Sequence, residues 1–87
     1  MKVKSGFMLR EIAGQAVVVP LGERVVEFNG IITLSESGAF LWNKMEEEVS
    51  ENELVEHITG EYDIDTETAR KDIREFIDSM RFKDLID

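Results

Sequence analysis

The hydrophobic pattern of this 87-residue chain changes its period once, near residue 35, and that change limits what the chain can fold into. Before it, β-branched and apolar residues lie in short runs separated by turn residues, which is typical of strands. After it, apolar residues recur every three or four positions, which predicts amphipathic helices. Strands followed by helices favour an α+β architecture. We expect one domain over residues 1–87, with a small β-sheet over 1–34 and three helices over 35–87.

Turn residues divide the first part into three predicted strands. Ala13-Gly14 and Asn29-Gly30 are turn signals, because glycine tolerates positive φ. Pro20 to Gly22 ends the second strand. The predicted strands are Phe7–Ile12, Gln15–Val19 and Ile31–Leu34, with a short extended piece at Arg24–Phe28.

Each predicted helix has a starting signal. Ser35 or Ser37 can cap the first helix, and Ser50 with Glu53 forms a capping box at the start of the second. Asp65 is the predicted N-cap of the third, and Gly60 fits the end of the second. The predicted buried stripes are Gly38, Leu41, Trp42, Met45 and Val49, then Leu54, Val55 and Ile58, then Ala69, Ile73, Phe76, Ile77 and Met80.

The elements together predict a winged helix-turn-helix. The connection between the second and third helices, residues 61–64, is short enough for a helix-turn-helix, and a small sheet beside such a pair is the winged form. We expect the tail after Lys83 to be extended, with Leu85 and Ile86 facing inward.

The composition opposes catalysis and binding to polyanions. The chain has no cysteine and a single histidine, His57, so the partners that a catalytic triad or a histidine metal site requires are missing. No glycine-rich phosphate loop occurs. The net charge of −9 opposes binding to nucleic acid or to an anionic membrane. We therefore expect no enzyme activity by the chain alone, no cofactor and no metal.

No segment has the pattern of a signal peptide or of a membrane span. The longest apolar run, Ala16–Val19, is closed by Pro20 and is far shorter than the roughly 20 residues that a span needs. We therefore expect a cytoplasmic location.

Two features suggest a binding surface, and each has a structural alternative. Ile31–Leu34 is a short apolar strand that could accept an incoming strand if it lies at a sheet edge, or could be covered by its own protein. Arg70, Arg74 and Arg81 form a basic stripe on the third helix. That stripe could bind a partner, or could be stabilised by i, i+4 pairs such as Arg74 with Asp78.

Several segments resemble the PqqD-like family. The clearest is Leu34 to Trp42, which is similar to the family pattern L-[NS]-x-[ST]-G-A-x-x-W, with Ser35 where asparagine is commoner. The segments that carry the resemblance are Leu9–Gly22, Phe28–Trp42, Glu53–Val55, Tyr62–Asp65, Ala69, Asp72 and Phe76. The match does not distinguish the quinone-cofactor branch from the similar proteins of other peptide clusters.

The resemblance implies a fold and a function. Family members have three N-terminal strands and three helices in a winged helix-turn-helix, and they do not bind DNA. They recognise the leader of a ribosomally made precursor peptide and present it to a modifying enzyme, often a radical S-adenosylmethionine enzyme. The leader adds as a strand to the third strand and packs against the third helix. The alternative functions are a winged-helix transcriptional regulator that binds DNA and a protein–protein adaptor.

That placement predicts a groove between the third strand and the third helix, with two arginines at its rim. The rim arginines would attract acidic leader residues, mainly by speeding association. The predicted peptide-binding residues are Ile31, Ile32, Thr33, Leu34, Arg70, Ile73, Arg74 and Ile77.

Overall fold

The computed structural model describes the backbone of residues 1–27 and 31–87 and the side chains of residues 1–25 and 31–87. In these ranges three strands form one antiparallel sheet, and three longer helices follow it, as the change of period predicts. The elements are β1 (Phe7–Ile12), β2 (Gln15–Pro20), α1 (Arg24–Glu27), β3 (Ile32–Leu34), α2 (Glu36–Lys44), α3 (Glu51–Glu61) and α4 (Thr66–Phe82).

The sheet is built on a two-residue hairpin. Ala13 (φ 52°) and Gly14 (φ 79°) both have positive φ, which a type I′ turn requires, and Ile12 faces Gln15 across the turn. β2 pairs with β1 on one side and with β3 on the other, so the strand order is β1-β2-β3. β3 therefore lies at an edge of this sheet.

One segment differs from the strand pattern. Arg24 to Glu27 forms the one-turn helix α1 and not the extended piece that the sequence predicts. The backbone amides of Arg24 and Val25 donate to the carbonyls of Leu21 and Gly22 (3.1 and 3.2 Å), which closes the turn. The Arg24 guanidinium lies 5.3 Å from the centre of the Phe7 ring, and this contact between distant residues favours the turn. Phe28 and the predicted Asn29-Gly30 turn lie outside the described residues.

The helix starts agree with the capping signals. Ser35, Ser50 and Asp65 each accept a hydrogen bond from the backbone amide three residues ahead, and Ser50 and Glu53 form both bonds of a capping box. Ser37 lies inside α2. Gly60 is not the stop of α3, because the helix continues through Glu61 and ends where Tyr62 becomes extended.

The core joins the sheet to all three longer helices. Its largest fully buried side chains are Trp42, Met45, Leu54, Ile73, Met80, Leu85 and Val18. The predicted tail is confirmed, because Ile86 forms a bridge with Val3 and both Leu85 and Ile86 are buried. No helix of the described residues is long and apolar enough to cross a bilayer.

Truncation of Trp42 to alanine should strongly destabilise the fold. The side chain is only 1% exposed at the centre of the core, and removal of a buried tryptophan costs about 3–5 kcal/mol. Urea unfolding followed by circular dichroism would measure the loss. Phe82→Ala is the matched control, because this aromatic side chain is 91% exposed. Equal loss in the two variants would contradict the burial of Trp42.

Acid should destabilise the fold partly by protonating Asp65, the N-cap of α4. Hydrogen bonds from Thr68 hold the pKa of Asp65 below its ordinary value of 3.8. A carboxyl whose pKa is lower in the folded state stabilises the fold above its unfolded pKa, and this contribution is lost as the pH falls through the folded pKa. Stability should therefore decline as the pH falls below about 4.

Asp65→Asn tests this, because asparagine caps about as well as aspartate but does not titrate. The free energy of unfolding of the variant should match that of the wild type near neutral pH. It should fall less than that of the wild type when the pH is lowered below about 4. Urea unfolding at neutral and at acidic pH measures both values. An identical acid loss in the two proteins would show that this cap does not contribute.

Candidate functional site

The outer edge of β3 has unpaired backbone groups. In the type I′ turn, the backbone groups of Ile12 and Gln15 form a hydrogen-bonded pair. Hydrogen-bonded and non-hydrogen-bonded pairs alternate along an antiparallel ladder. The N–H and C=O of Val17, two residues after Gln15, therefore also point toward β1. Ala16 and Val18 then bond toward β3, where they face Leu34 and Ile32. Thr33, between these two, directs its N–H and C=O away from β2. Among the described residues no strand pairs with β3 on that side.

A cavity opens where β3 ends. It has a volume of 580 Å³ and lies between the start of α2, the end of α3 and the middle of α4. Gly38 lies between this cavity and the sheet. A Cβ added at this position would lie 3.3 Å from Cε1 of Phe76 and 3.5 Å from Cβ of Leu34, so both side chains pack close to the glycine. The glycine therefore allows the Phe76 ring of α4 to approach the end of β3. The apolar residues around the cavity include Leu41, Ile58, Tyr62, Ile64 and Phe76.

Tyr62 forms an aromatic wall at this cavity. Its ring packs edge to face against the ring of Phe40, with the centroids 5.6 Å apart. On Phe40 itself, Lys44 Nζ lies 5.3 Å from the ring centroid. Desolvation raises the pKa of Tyr62, and the negative charges of Glu36 and Glu61 add to the effect. The Tyr62 side chain, directly after α3, is half-buried, and the carboxylates of Glu36 and Glu61 near it are exposed.

Three carboxylates line the same cavity. Asp63, Asp72 and Glu75 are exposed, and within the part of the chain that the structure describes none of them has an ion-pair partner. No lysine, arginine or histidine is among the residues that line the cavity. The candidate site thus combines an edge strand, an apolar cavity and a negatively charged rim.

The structure places the strand residues of the predicted site together. Thr33 is exposed at the edge, Ile32 is half-buried and Leu34 is buried. Ile31 lies just before β3 and is 58% exposed.

The helix residues of the predicted site lie elsewhere. Ile73 (0% exposed) and Ile77 (4%) belong to the core. Arg74 is about 160° around α4 from Phe76, at about 100° per residue, and therefore lies on the opposite flank of the helix. A second cavity of 410 Å³ includes Arg74 and Ile77 among its lining residues. The role of these residues in peptide binding stays a prediction.

Both arginines bind a single carboxylate of α3. Arg70 Nη1 donates to Glu51 Oε2 (3.2 Å) and to Asn52 Oδ1 (2.9 Å), and Arg74 Nε donates to Glu51 Oε1 (3.2 Å). Arg74 thus pairs with a residue 23 positions away and not with Asp78 on its own helix. These contacts tie the start of α3 to α4.

Sequence reasoning did not place the flank of α4 that carries Asp72 and Phe76 at the candidate site. Phe76 appears in the sequence as a member of the core stripe, whereas the structure shows a half-buried ring that lines the cavity. Asp72 lies about 40° from Phe76 around the helix axis, so the helical period alone predicts that the two residues share a flank. Gly38 and Tyr62 join them only through tertiary packing.

Comparison with known proteins gives two matches. The model of the family described as coenzyme PQQ synthesis protein D (PqqD) matches residues 15–86. A solved structure described as TbiB1 in complex with the TbiA(beta) leader peptide is similar over 100% of this chain and 95% of that chain, with a TM-score of 0.79 and 25% identity. No curated protein matches the chain.

Substitution of Glu51 by glutamine should loosen the contact between α3 and α4. The change removes the partner of two guanidinium groups, and exposed ion pairs contribute at most about 1 kcal/mol each. We expect a loss of about 1 kcal/mol in the free energy of unfolding, measured by urea titration at low salt. The loss should shrink at about 1 M NaCl, where screening is strong. Glu56→Gln, an exposed change on the same helix, is the control. A loss that did not depend on salt would contradict an ionic contribution.

Proposed function

We propose that this chain, which belongs to the PqqD family, binds the leader of a ribosomally made precursor peptide and presents it to a modifying enzyme. The observation that carries the proposal is the free edge of β3 in a fold that is similar, over the whole chain, to a protein solved with its leader peptide bound.

Strand addition explains how one short strand can bind a peptide. The outward N–H and C=O of Thr33 offer the leader a pair of backbone hydrogen bonds, and the leader becomes a fourth strand of the sheet. Side chains alternate along a strand, so every second leader residue faces the same side as Ile32 and Leu34. On that side the cavity beside Phe76 can receive an apolar side chain.

The chemical step is proposed to belong to a second protein. Among the described residues no polar or charged side chain is buried, so none has the desolvated setting that shifts the pKa of catalytic groups. Among the side chains that the structure describes, those of residues 1–25 and 31–87, no group of three or more potential ligands is arranged to hold a metal ion. The family resemblance supports a radical S-adenosylmethionine enzyme as the partner, and the proposed location is the cytoplasm.

A proline at position 33 should prevent strand addition without unfolding the sheet. Proline lacks the N–H that the leader would use, and the Thr33 N–H makes no bond to β2, so the intrachain ladder is retained. The probe is a linear peptide selected on the wild-type protein by mRNA display from a random library. Its dissociation constant should rise about tenfold or more in Thr33→Pro, since a backbone hydrogen bond and the adjoining pairing are both lost.

Thr33→Val is the matched control, because it has almost the same shape and keeps the N–H. It should bind like the wild type. Equal affinity of the proline variant and the wild type would exclude pairing at this edge. So would a nuclear magnetic resonance titration in which the amides of α3 shift and those of residues 31–34 do not.

A further inference from the structure

We infer that the leader segment recognised at this site is apolar and carries a lysine or arginine positioned to reach Asp72 and Glu75. This inference rests on the proposed peptide binding and specifies the chemistry of the peptide. It differs from the prediction, made from the sequence, that Arg70 and Arg74 attract acidic leader residues.

The floor of the cavity requires an apolar side chain. Leu41 and Ile58 are buried, and Phe76 and Tyr62 are half-buried with their rings at the cavity wall. An apolar leader residue that enters from the edge of β3 would remove this surface from water, which is favourable in proportion to the area covered. A charged group at the floor would lose its hydration without a partner.

The rim selects a positive charge. Asp63, Asp72 and Glu75 surround the opening, no cation lines it, and Glu36 acts on the same region through its effect on Tyr62. An acidic leader side chain at the rim would meet three like charges, whereas a basic one would find carboxylates without other partners. A long lysine or arginine chain can lie along the apolar wall while its charged end reaches the rim.

Arg70 and Arg74 do not line this cavity, and Lys71 lines a separate surface pocket that it shares with Glu75. Arg70 and Arg74 are engaged by Glu51 on the opposite flank of the helix. The whole chain has a net charge of −9, so its long-range field also attracts basic peptides and speeds their association. Local and global charge therefore favour the same sign of ligand.

The test compares two identical substitutions on the two flanks of α4. Asp72 and Asp78 are both exposed aspartates of this helix, about 120° apart at about 100° per residue. Asp72 lines the cavity beside β3, and Asp78 does not. Asn replaces each in turn, so both variants have the same net charge. Thermal unfolding followed by circular dichroism is the control for stability, and both variants should melt like the wild type.

Linear random peptides are selected on the wild-type protein by mRNA display, and the probe is the most enriched sequence. We expect the selected peptides to share a lysine or arginine at a constant distance from an apolar residue. Affinity for the probe should fall about two- to fivefold in Asp72→Asn and stay unchanged in Asp78→Asn, as expected for one exposed charge pair. A probe with glutamate in place of its basic residue should bind weakly to the wild type and better to Asp72→Lys.

The possible failures separate the two proposals. Selection that yields no binding peptide would overturn leader recognition itself. Peptides that bind through residues 31–34 but share no basic residue, or that bind both asparagine variants equally, would leave the proposed function standing and overturn the charge preference. Enrichment of acidic residues, with loss of binding in Arg74→Gln, would overturn it in favour of the basic flank.

Discussion

The two-residue turn at Ala13-Gly14 sets the register on which the rest of the structure depends. Both residues have positive φ, and the turn aligns β1 with β2 so that Val18 points into the core. Because bonding directions alternate along the ladder, the same register decides that Ile32 and Leu34 bond to β2 and that Thr33 faces outward. A slip of one residue would exchange the core face with the solvent face and turn the free backbone groups inward.

The two flanks of α4 have different surroundings. One flank carries Arg70 and Arg74, which bind Glu51 and fasten α3. The other carries Asp72 and Phe76 and lies beside the end of β3, where Gly38 leaves room for the aromatic ring. The core stripe of Ile73 and Ile77 runs between the flanks and holds the helix in place. The ion pairs that fasten α3 and the proposed recognition site therefore lie on separate surfaces of one helix.

This division changes the interpretation of the basic stripe. In the sequence, Arg70 and Arg74 are a local excess of positive charge in an acidic chain and invite a functional interpretation. In the structure the two guanidinium groups share one carboxylate, and part of their charge is neutralised within the chain. The carboxylates of Asp63, Asp72 and Glu75 at the acidic rim beside β3 have no ion-pair partner within the described residues. An unpaired charge at an open cavity is a better guide to a ligand than a cluster with partners of its own.

The sequence by itself determined the strands at Phe7–Ile12 and Gln15–Pro20 almost to the residue, the helix starts at Ser35, Ser50 and Asp65, and the burial of Trp42. These features depend on interactions between residues no more than four positions apart, or on a periodicity that one segment displays alone.

Only the tertiary structure decided the helical turn at Arg24, the continuation of α3 past Gly60, and the partners of the arginines. It also assembled the cavity, since Gly38 lies in α2, Tyr62 directly follows α3 and Phe76 lies in α4. Contacts of this kind join residues far apart in the chain, and no local pattern specifies which of several acidic residues a given arginine will reach. The site depends on the meeting of separate elements, and that is a property of the packed fold.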